Sequence, residues 1–195
     1  MKTVANKWFI DEETLINDSY RLAVMIYESR FRPHFLVGLW RGGSTVGIYV
    51  QECLQYLGVE TDHISVRTSY QGMEDYMKRY EFNTGLTAHG LKYLVETMNH
   101  DDSLLVVDDV FATGRHIEAL IQRLCLRMKR NMPTDLKIAA PFYKPLQNRS
   151  KREPDYFLHT TNDWLVLPYE LTGLKQEEIA QNKPWVMPIL NTKNG

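Results

Sequence analysis

The sequence predicts an α/β fold in which a mainly parallel, twisted sheet is flanked by helices. Short apolar runs typical of buried strands alternate with segments of helical period, which favours parallel strands joined by helical crossovers. The chain has 195 residues, of which 44% are hydrophobic. That is enough for a domain with its own core, and no internal repeat or low-complexity segment divides it. We therefore expect a single domain over residues 1–195.

The first half of the chain begins with a helix. Asp11 is a suitable N-cap, and Leu15, Leu22 and Ile26 fall on one face of a helix that runs to about Arg30. The elements predicted next are a buried strand at Phe35–Trp40, a helix from the turn Arg41-Gly42-Gly43-Ser44 to about Leu57, and a strand at His63–Thr68.

The second half continues the alternation after an irregular stretch. Residues 70–90 show no periodicity, and a segment of that length inside a domain is more often a lid than a plain connector. The elements predicted next are strands at Leu91–Thr97 and Leu104–Val107, a helix from about Arg115 to Lys129, a strand at Leu136–Tyr143, extended pieces at Tyr156–His159 and Trp164–Leu167, and a short helix near Gln176–Gln181. The polar stretch 147–154 is expected to be an excursion within the domain.

Charge and cysteine content exclude several classes of protein. The formal net charge is −1, so no basic field attracts nucleic acid or a membrane surface. The N-terminal residues lack a long apolar run, so we expect neither a signal peptide nor a membrane span, and a cytoplasmic location. Cys53 and Cys125 are too few for a disulfide framework or a zinc site, and we expect both to be buried as small apolar residues.

The stretch from Leu104 to the following helix is the most informative motif. The apolar run ends at Asp108 and Asp109, and the turn Ala112–His116 then leads into a helix. Amides in the first turn of a helix lack intrahelical partners and bind phosphate well. Two acids at the carboxyl end of a buried strand are costly without a partner. This motif suits a ligand that has a phosphate next to neighbouring hydroxyls, although a solvated turn remains the alternative.

A second loop has similar chemistry. The strand predicted at 35–40 is followed by Arg41-Gly42-Gly43 at a helix start, which offers backbone amides and a fixed cation. An anion is expected there, and two such loops suit a ligand phosphorylated at both ends. The competing interpretation is an ordinary turn with a surface arginine.

The acid pair followed by Thr113-Gly114 and a helix resembles the phosphoribosyl pyrophosphate signature of the type I phosphoribosyltransferases. The resemblance covers roughly residues 35–170. It implies that Asp108 and Asp109 are catalytic residues that hold the ribose hydroxyls, with Asp109 near Mg²⁺. The residues that it assigns to the 5′-phosphate are Ala112, Thr113, Gly114, Arg115 and His116. It also implies a small hood over the core, with the core at about 35–145 and the hood formed by about 145–195 together with the N-terminal segment.

The same resemblance assigns the pyrophosphate side of the site. Arg41 and Gly42 correspond to the pyrophosphate loop, and by resemblance we expect a cis peptide between them. A mobile loop starting at Ser69 and Tyr70 is implied to close over the reaction centre, and His89 to touch pyrophosphate. Closure would keep water away from a carbocation-like ribose.

The base site resembles that of bacterial xanthine-guanine and hypoxanthine phosphoribosyltransferases. The implied roles are a hydrogen bond from Lys144 to the purine 6-oxo group, stacking by Trp164, backbone contacts from Leu165 and a second metal at Glu170. Lysine is a suitable donor to an exocyclic oxygen, and stacking of an aromatic ring on a base contributes roughly 1–3 kcal/mol. For Trp164, a place in the core is an equally good interpretation of the sequence.

Ala112 departs from this pattern. In most 6-oxopurine enzymes of the family this position is an acid that takes or shares the purine N7 proton, which alanine cannot do. Another acid, Asp109 or Glu170, could serve as the base, or the substrate could be an acidic purine such as xanthine. The expected activity is transfer of the phosphoribosyl group from phosphoribosyl pyrophosphate to a 6-oxopurine by a homodimer or homotetramer. The alternatives are a regulator that binds phosphoribosyl pyrophosphate without catalysis, and an enzyme for another base such as adenine.

Overall fold

The structure is a computed structural model that describes residues 7–67 and 89–191. The strands are β1 Lys7–Phe9, β2 Phe35–Trp40, β3 Asp62–Arg67, β4 Ser103–Val107, β5 Val110–Phe111, β6 Asp135–Tyr143, β7 Tyr156–Thr160 and β8 Trp164–Val166. The α-helices are α1 Glu12–Glu28, α2 Gly42–Tyr56, α3 His89–Thr97, α4 Arg115–Met128, α5 Gln176–Asn182 and α6 Met187–Asn191. Short 3₁₀ helices occur at Lys129–Asn131, Pro145–Gln147 and Pro184–Val186. No helix in these ranges is long and apolar enough to cross a membrane.

The described chain divides into two compact units. The larger unit comprises residues 16–162, and the smaller contains the described parts of 1–15 and 163–195. Helix α1 contributes residues to both units. The predicted position of a hood over the core stays a prediction.

The larger unit is built on one parallel sheet, as the alternation of elements predicted. The strands follow the order β3-β2-β4-β6, with β5 pairing with the later part of β6 and β7 pairing with β6. All these pairs are parallel. The carboxyl ends of the strands therefore lie at one edge of the sheet, where open α/β sheets bind their ligands.

The segment 91–97 is a helix, so its prediction as a strand was wrong. Leu91, Leu94 and Met98 recur at spacings of three and four residues, and none of the three is more than 3% exposed. They pack with residues of α4 and of the central strands in one cluster. On the exposed side Lys92 and Glu96 form an i,i+4 ion pair with an N–O distance of 3.7 Å. A short apolar run is compatible with a strand or with the buried face of a helix, and here the tertiary packing favours the helix.

The two cysteines are less buried than predicted. Cys125 is exposed and Cys53 is partly buried, and both are free thiols. The buried face of α4 is formed by Ile117, Leu120, Ile121, Leu124 and Met128. Because Cys125 follows Leu124 directly, it lies about 100° round the helix from that residue and faces away from the core.

The smaller unit pairs the two ends of the chain. Strand β1 runs parallel to β8, with Lys7 opposite Trp164 and Phe9 opposite Val166. Lys183 is only 2% exposed, and its Nζ donates to the carbonyl oxygens of Leu167, Pro168 and Glu170 at 2.7, 2.8 and 2.6 Å. The predicted helix near 176–181 is confirmed as α5, and neither β1 nor α6 was predicted.

Candidate functional site

The acid pair lies directly after the buried strand β4. The Asp108 amide donates to Ala139 O on β6 at 3.0 Å, which fixes the turn at the strand end. The Asp109 amide donates to Asp108 Oδ1 at 3.0 Å, and the Val110 amide donates to Asp109 Oδ1 at 2.8 Å. Both residues are of intermediate exposure. The local backbone therefore holds the pair at the carboxyl edge of the sheet.

The pKa of Asp108 indicates which ligands suit this pair. Burial raises the pKa of the Asp108 carboxyl well above 3.8, and the negative charge of Asp109 raises that pKa further. Two close carboxylates bind a proton, a hydroxyl donor or a cation because each reduces their repulsion. The residues thus fit a sugar diol and a hard cation such as Mg²⁺, which prefers carboxylate oxygens and keeps several waters.

The phosphate loop follows the short strand β5. Gly114 is the N-cap of α4 and has a φ of +69°, a left-handed conformation that glycine adopts without steric cost. The Glu118 amide donates to Gly114 O at 2.9 Å and starts the ladder of helical hydrogen bonds. The amides before it lie in the first turn, where a helix binds anions. Arg115 and His116, the first two residues of α4, are exposed.

A segment that the sequence analysis treated only as a polar excursion packs against this loop. The Arg149 amide donates to Thr113 O at 3.1 Å. A Cβ added at Gly114 would overlap the Ser150 hydroxyl oxygen, so the two residues are in close contact. Asn148 Oδ1 accepts from both the amide and the hydroxyl of Ser150 at 2.9 Å. An Asn two residues before Ser is a turn signal, but the contact with Thr113 is long-range and leaves no local pattern.

The second loop begins with a cis peptide between Trp40 and Arg41. The prediction of a cis bond one residue later was wrong, because Gly42 already belongs to α2 and its preceding peptide forms the start of that helix. Arg41 is the N-cap of α2 and its side chain is exposed, as an anion-binding role requires. Gly43 lies against Val107 and Asp108, so the second loop contacts the acid pair.

For three of the predicted residues the structure describes no side chain. Ser69 and Tyr70 lie outside the described residues, together with most of the predicted lid. His89 begins α3, but its side chain is not among those described. The roles proposed for these residues stay predictions.

Lys144 lies at the end of β6 in the larger unit. It is 8% exposed, and its amide donates to Phe111 O at 2.9 Å. Ala112 follows the end of β5 and Lys144 follows the end of β6, and these two strands are paired. This agrees with a role for Lys144 at the carboxyl edge.

The other residues predicted for the base site belong to the smaller unit. Trp164 is 57% exposed and Lys7 Nζ lies 5.5 Å from its ring centroid, so its interpretation as a core residue was wrong. Leu165 is buried, and the Glu170 carboxylate accepts from the Leu167 amide at 3.0 Å. Among the described residues no group of three or more His, Cys, Asp or Glu side chains could hold a metal. Metal binding by Asp109 and Glu170 stays a prediction.

The candidate site thus combines a parallel sheet, an acid pair after the central strand β4 and two glycine-containing loops at the starts of helices. No protein-family model matches the sequence, and no curated protein does. Solved structures do match. A purine phosphoribosyltransferase from Pyrococcus horikoshii Ot3 is 21% identical with a TM-score of 0.61, over 87% of this chain and 98% of that one.

Two further structures extend the comparison. The xanthine-guanine-hypoxanthine phosphoribosyltransferase of Helicobacter pylori is 17% identical with a TM-score of 0.58, over 98% of this chain and 99% of that one. A hypothetical protein from Neisseria gonorrhoeae with bound ppGpp is 16% identical with a TM-score of 0.66, over 93% of this chain and 98% of that one. At these identities the likeness establishes the fold: the chain has the fold of the purine phosphoribosyltransferases, as the sequence predicted.

Proposed function

We propose that this protein is a purine phosphoribosyltransferase. It transfers the 5-phosphoribosyl group from phosphoribosyl pyrophosphate to a 6-oxopurine (hypoxanthine, guanine or xanthine) and releases a nucleoside 5′-monophosphate and pyrophosphate. The observation that carries this proposal is the close pair of Asp108 and Asp109 directly after β4. The pair lies at the carboxyl edge of the sheet between the loop that starts α4 and the loop that starts α2.

Each end of the phosphoribosyl pyrophosphate has a matching part of this site. The first turn of α4, with Thr113, Gly114 and Arg115, binds the 5′-phosphate. The carboxylates of Asp108 and Asp109 accept hydrogen bonds from the ribose hydroxyls. Arg41 and the start of α2 bind the pyrophosphate, which is the leaving group.

The reaction is carried mainly by position and charge. The purine N9 attacks ribose C1 as the bond from C1 to the pyrophosphate oxygen breaks, so positive charge develops on the ribose and negative charge on the leaving group. Asp108 and Asp109 face the positive charge, and Arg41 faces the negative one. Mg²⁺ bound near Asp109 would supply further neutralisation of the pyrophosphate charge. A site that is oriented beforehand stabilises this separation of charge without reorganisation.

The preference for an oxopurine rests on Lys144. Its ammonium is a donor that suits the 6-oxo group and does not suit the amino group of adenine. For Trp164 and Leu165, which belong to the smaller unit, we propose the stacking and backbone roles that the resemblance implies. We also propose that the protein is a homodimer or homotetramer in the cytoplasm and takes part in purine salvage.

A second candidate function is a regulator that binds phosphoribosyl pyrophosphate or another phosphorylated nucleotide without catalysis. Ala112 favours it, because an acid at this position is what a 6-oxopurine enzyme uses at N7. The neighbour from Neisseria gonorrhoeae, whose structure holds ppGpp, gives this candidate a ligand of suitable chemistry, a nucleotide with two pyrophosphate groups.

The test is a panel of bases. The protein with Mg²⁺ and phosphoribosyl pyrophosphate is incubated separately with hypoxanthine, guanine, xanthine, adenine, uracil and orotate, and the nucleotide is measured by chromatography. We expect product from at least one 6-oxopurine and none from the pyrimidines. Silence for every base, with phosphoribosyl pyrophosphate or ppGpp bound in calorimetry, would support the regulator. Product from adenine alone would overturn the role of Lys144.

A further inference from the structure

A histidine and a buried carboxylate form a pair beside the end of β6. Asp18, on α1, is 1% exposed, and its Oδ2 lies 2.7 Å from His159 Nε2 on β7. Arg21 contributes a second contact to the same carboxylate, at 3.3 Å from Oδ1. The His159 side chain is 36% exposed, whereas that of Asp18 is 2% exposed. Neither residue has a role in the phosphoribosyl transfer described above.

The geometry of the pair determines which nitrogen does chemistry. A buried carboxylate accepts from Nε2–H, so in the neutral ring the proton lies on Nε2 and Nδ1 is the acceptor. The ring also stacks on Phe142 at a centroid distance of 5.1 Å and an interplanar angle of 26°. A carboxylate on one side and an aromatic face on another hold the imidazole in one orientation.

His159 lies in a row of the sheet next to the ends of the strands that lead to Ala112 and Lys144. Val110 pairs with Phe142, and Phe142 pairs with His159, so the three residues cross three neighbouring strands. At the usual strand spacing the Cα atoms of Val110 and His159 are about 10 Å apart. Ala112 lies two residues after Val110, and Lys144 lies two residues after Phe142. A purine beside Lys144 thus lies within the span between the Ala112 loop and the strand that carries His159.

We propose that His159 is the proton acceptor that takes the place of the acid absent at Ala112, and that Asp18 is its positioning residue. This inference rests on the proposed function. In the step, a bond forms between purine N9 and ribose C1 while the bond from C1 to the pyrophosphate oxygen breaks, and its electron pair leaves with pyrophosphate. The N7 proton passes to His159 Nδ1, and the imidazolium is stabilised by the Asp18 carboxylate. Release of that proton to solvent restores the enzyme.

The pair could instead serve only to attach α1 to β7, as the 2.8 Å hydrogen bond between Ser29 and Tyr156 does. The two roles differ in their dependence on pH. Asp18 on α1 contacts His159, Arg21 contacts the same carboxylate, and β6 presents the uncharged Phe142 to the ring. If His159 accepts the N7 proton, the acid limb of the kcat/KM profile depends on this histidine, whereas replacing a purely structural pair leaves the shape of the profile unchanged.

The experiment measures kcat/KM for a 6-oxopurine against pH. For His159→Gln we expect kcat/KM to fall 10²- to 10⁴-fold, with loss of the acid limb and with affinity for phosphoribosyl pyrophosphate unchanged within twofold. For Asp18→Asn we expect a smaller fall in kcat/KM and a shift of the acid limb along the pH axis. His100, 3.1 Å from Asp101 on an exposed turn, is the matched control, and His100→Gln should leave the rate and the profile unchanged. Ala112→Asp should raise kcat/KM at least tenfold in the His159→Gln background and change it little in the wild-type protein.

The outcomes separate failure of the proposed function from failure of the role of His159. If the wild-type protein makes no product from any base, the proposed function fails and this inference fails with it. If the wild-type protein is active and His159→Gln keeps its rate and its acid limb, only this inference fails. His159→Phe, which keeps a ring against Phe142, serves as the second variant if the Gln variant does not fold. Loss of phosphoribosyl pyrophosphate binding in both variants would show a structural role and overturn the proposal.

Discussion

Gly43 at the start of α2 lies so close to Val107 at the end of β4 that a methyl group on the glycine would overlap the Val107 carbonyl oxygen. The same methyl carbon would lie 2.8 Å from Asp108 Cα. This contact joins the proposed pyrophosphate loop to the proposed ribose acids, and only a glycine allows it.

The first prediction concerns this contact. Gly43→Ala should lower the free energy of unfolding by about 1–3 kcal/mol and weaken phosphoribosyl pyrophosphate binding, because a backbone carbonyl cannot rotate away as a side chain can. Urea unfolding and calorimetry measure the two effects. Ile48→Ala, at a 59% exposed position on the same helix, is the control and should change neither binding nor the position of the loop. Unchanged binding in Gly43→Ala would show that the loop tolerates displacement.

The second prediction concerns charge at the ribose. Asp109→Asn keeps the size of the side chain and removes its negative charge, so turnover should fall about 10²- to 10³-fold while the fold is retained. Steady-state rates at saturating base and phosphoribosyl pyrophosphate, with circular dichroism of the free protein, measure this. An unchanged rate would refute the role of Asp109 at the ribose and at the metal.

The third prediction concerns pH and stability. The folded-state pKa of Asp108 is raised above 3.8, so the folded protein binds this proton more tightly than the unfolded chain. The stability due to this group is therefore full below pH 3.8 and is lost as the pH rises through the folded-state pKa. Asp108→Asn removes that loss, so its stability relative to wild type should increase across this range. Unfolding by urea at a series of pH values measures the difference.

The control for the pH series is Asp101→Asn, whose side chain is fully exposed. A pH-dependent change for Asp108→Asn that is no larger than the change for Asp101→Asn would show that the acid pair carries no excess repulsion.

The fourth prediction concerns the phosphate loop. Gly114→Ala should reduce affinity for phosphoribosyl pyrophosphate because the φ of +69° is unfavourable for alanine and the new methyl group overlaps Ser150. Adding Ser150→Gly removes the overlap but not the backbone strain, so the double variant should recover part of the affinity. Ser150→Gly alone is the control. If the double variant is no better than Gly114→Ala, Ser150 is not what limits the loop.

The fifth prediction concerns the smaller unit. Lys183→Met should lower the free energy of unfolding by about 1–3 kcal/mol. The reason is that the carbonyl oxygens of Leu167, Pro168 and Glu170 lose the donor that they share. Lys92→Met, at a side chain that is 74% exposed, is the control and should have little effect. An equal effect of the two substitutions would contradict a structural role of the buried ammonium.

Local sequence patterns were sufficient for most of the larger unit. The Asp11 cap was predicted and is confirmed by the 2.6 Å hydrogen bond from the Thr14 amide to Asp11 Oδ1. The strand before Asp108 and the helix after Gly114 were also predicted correctly. Such features depend on residues a few positions apart, so the order of residues alone records them.

Contacts between distant parts of the chain were not predictable in this way. The apolar residues of the helix at 89–97 fit a strand equally well, and only their packing distinguishes the two. The contact of Gly114 with Ser150 has no local sequence signal. The pairing of Asp18 with His159 joins residues 141 positions apart, so no spacing rule indicates it.

The sequence by itself determined the parallel α/β fold, the acid pair and the two glycine-containing loops at helix starts. Strand period, helix caps and glycine turns are local consequences of side-chain shape and backbone hydrogen bonding. Only the tertiary structure decided where Gly43 meets Val107, which face of 89–97 is buried and which carboxylate orients His159. These depend on burial and close packing, in which a residue's energy is set by neighbours that the chain brings together only when it folds.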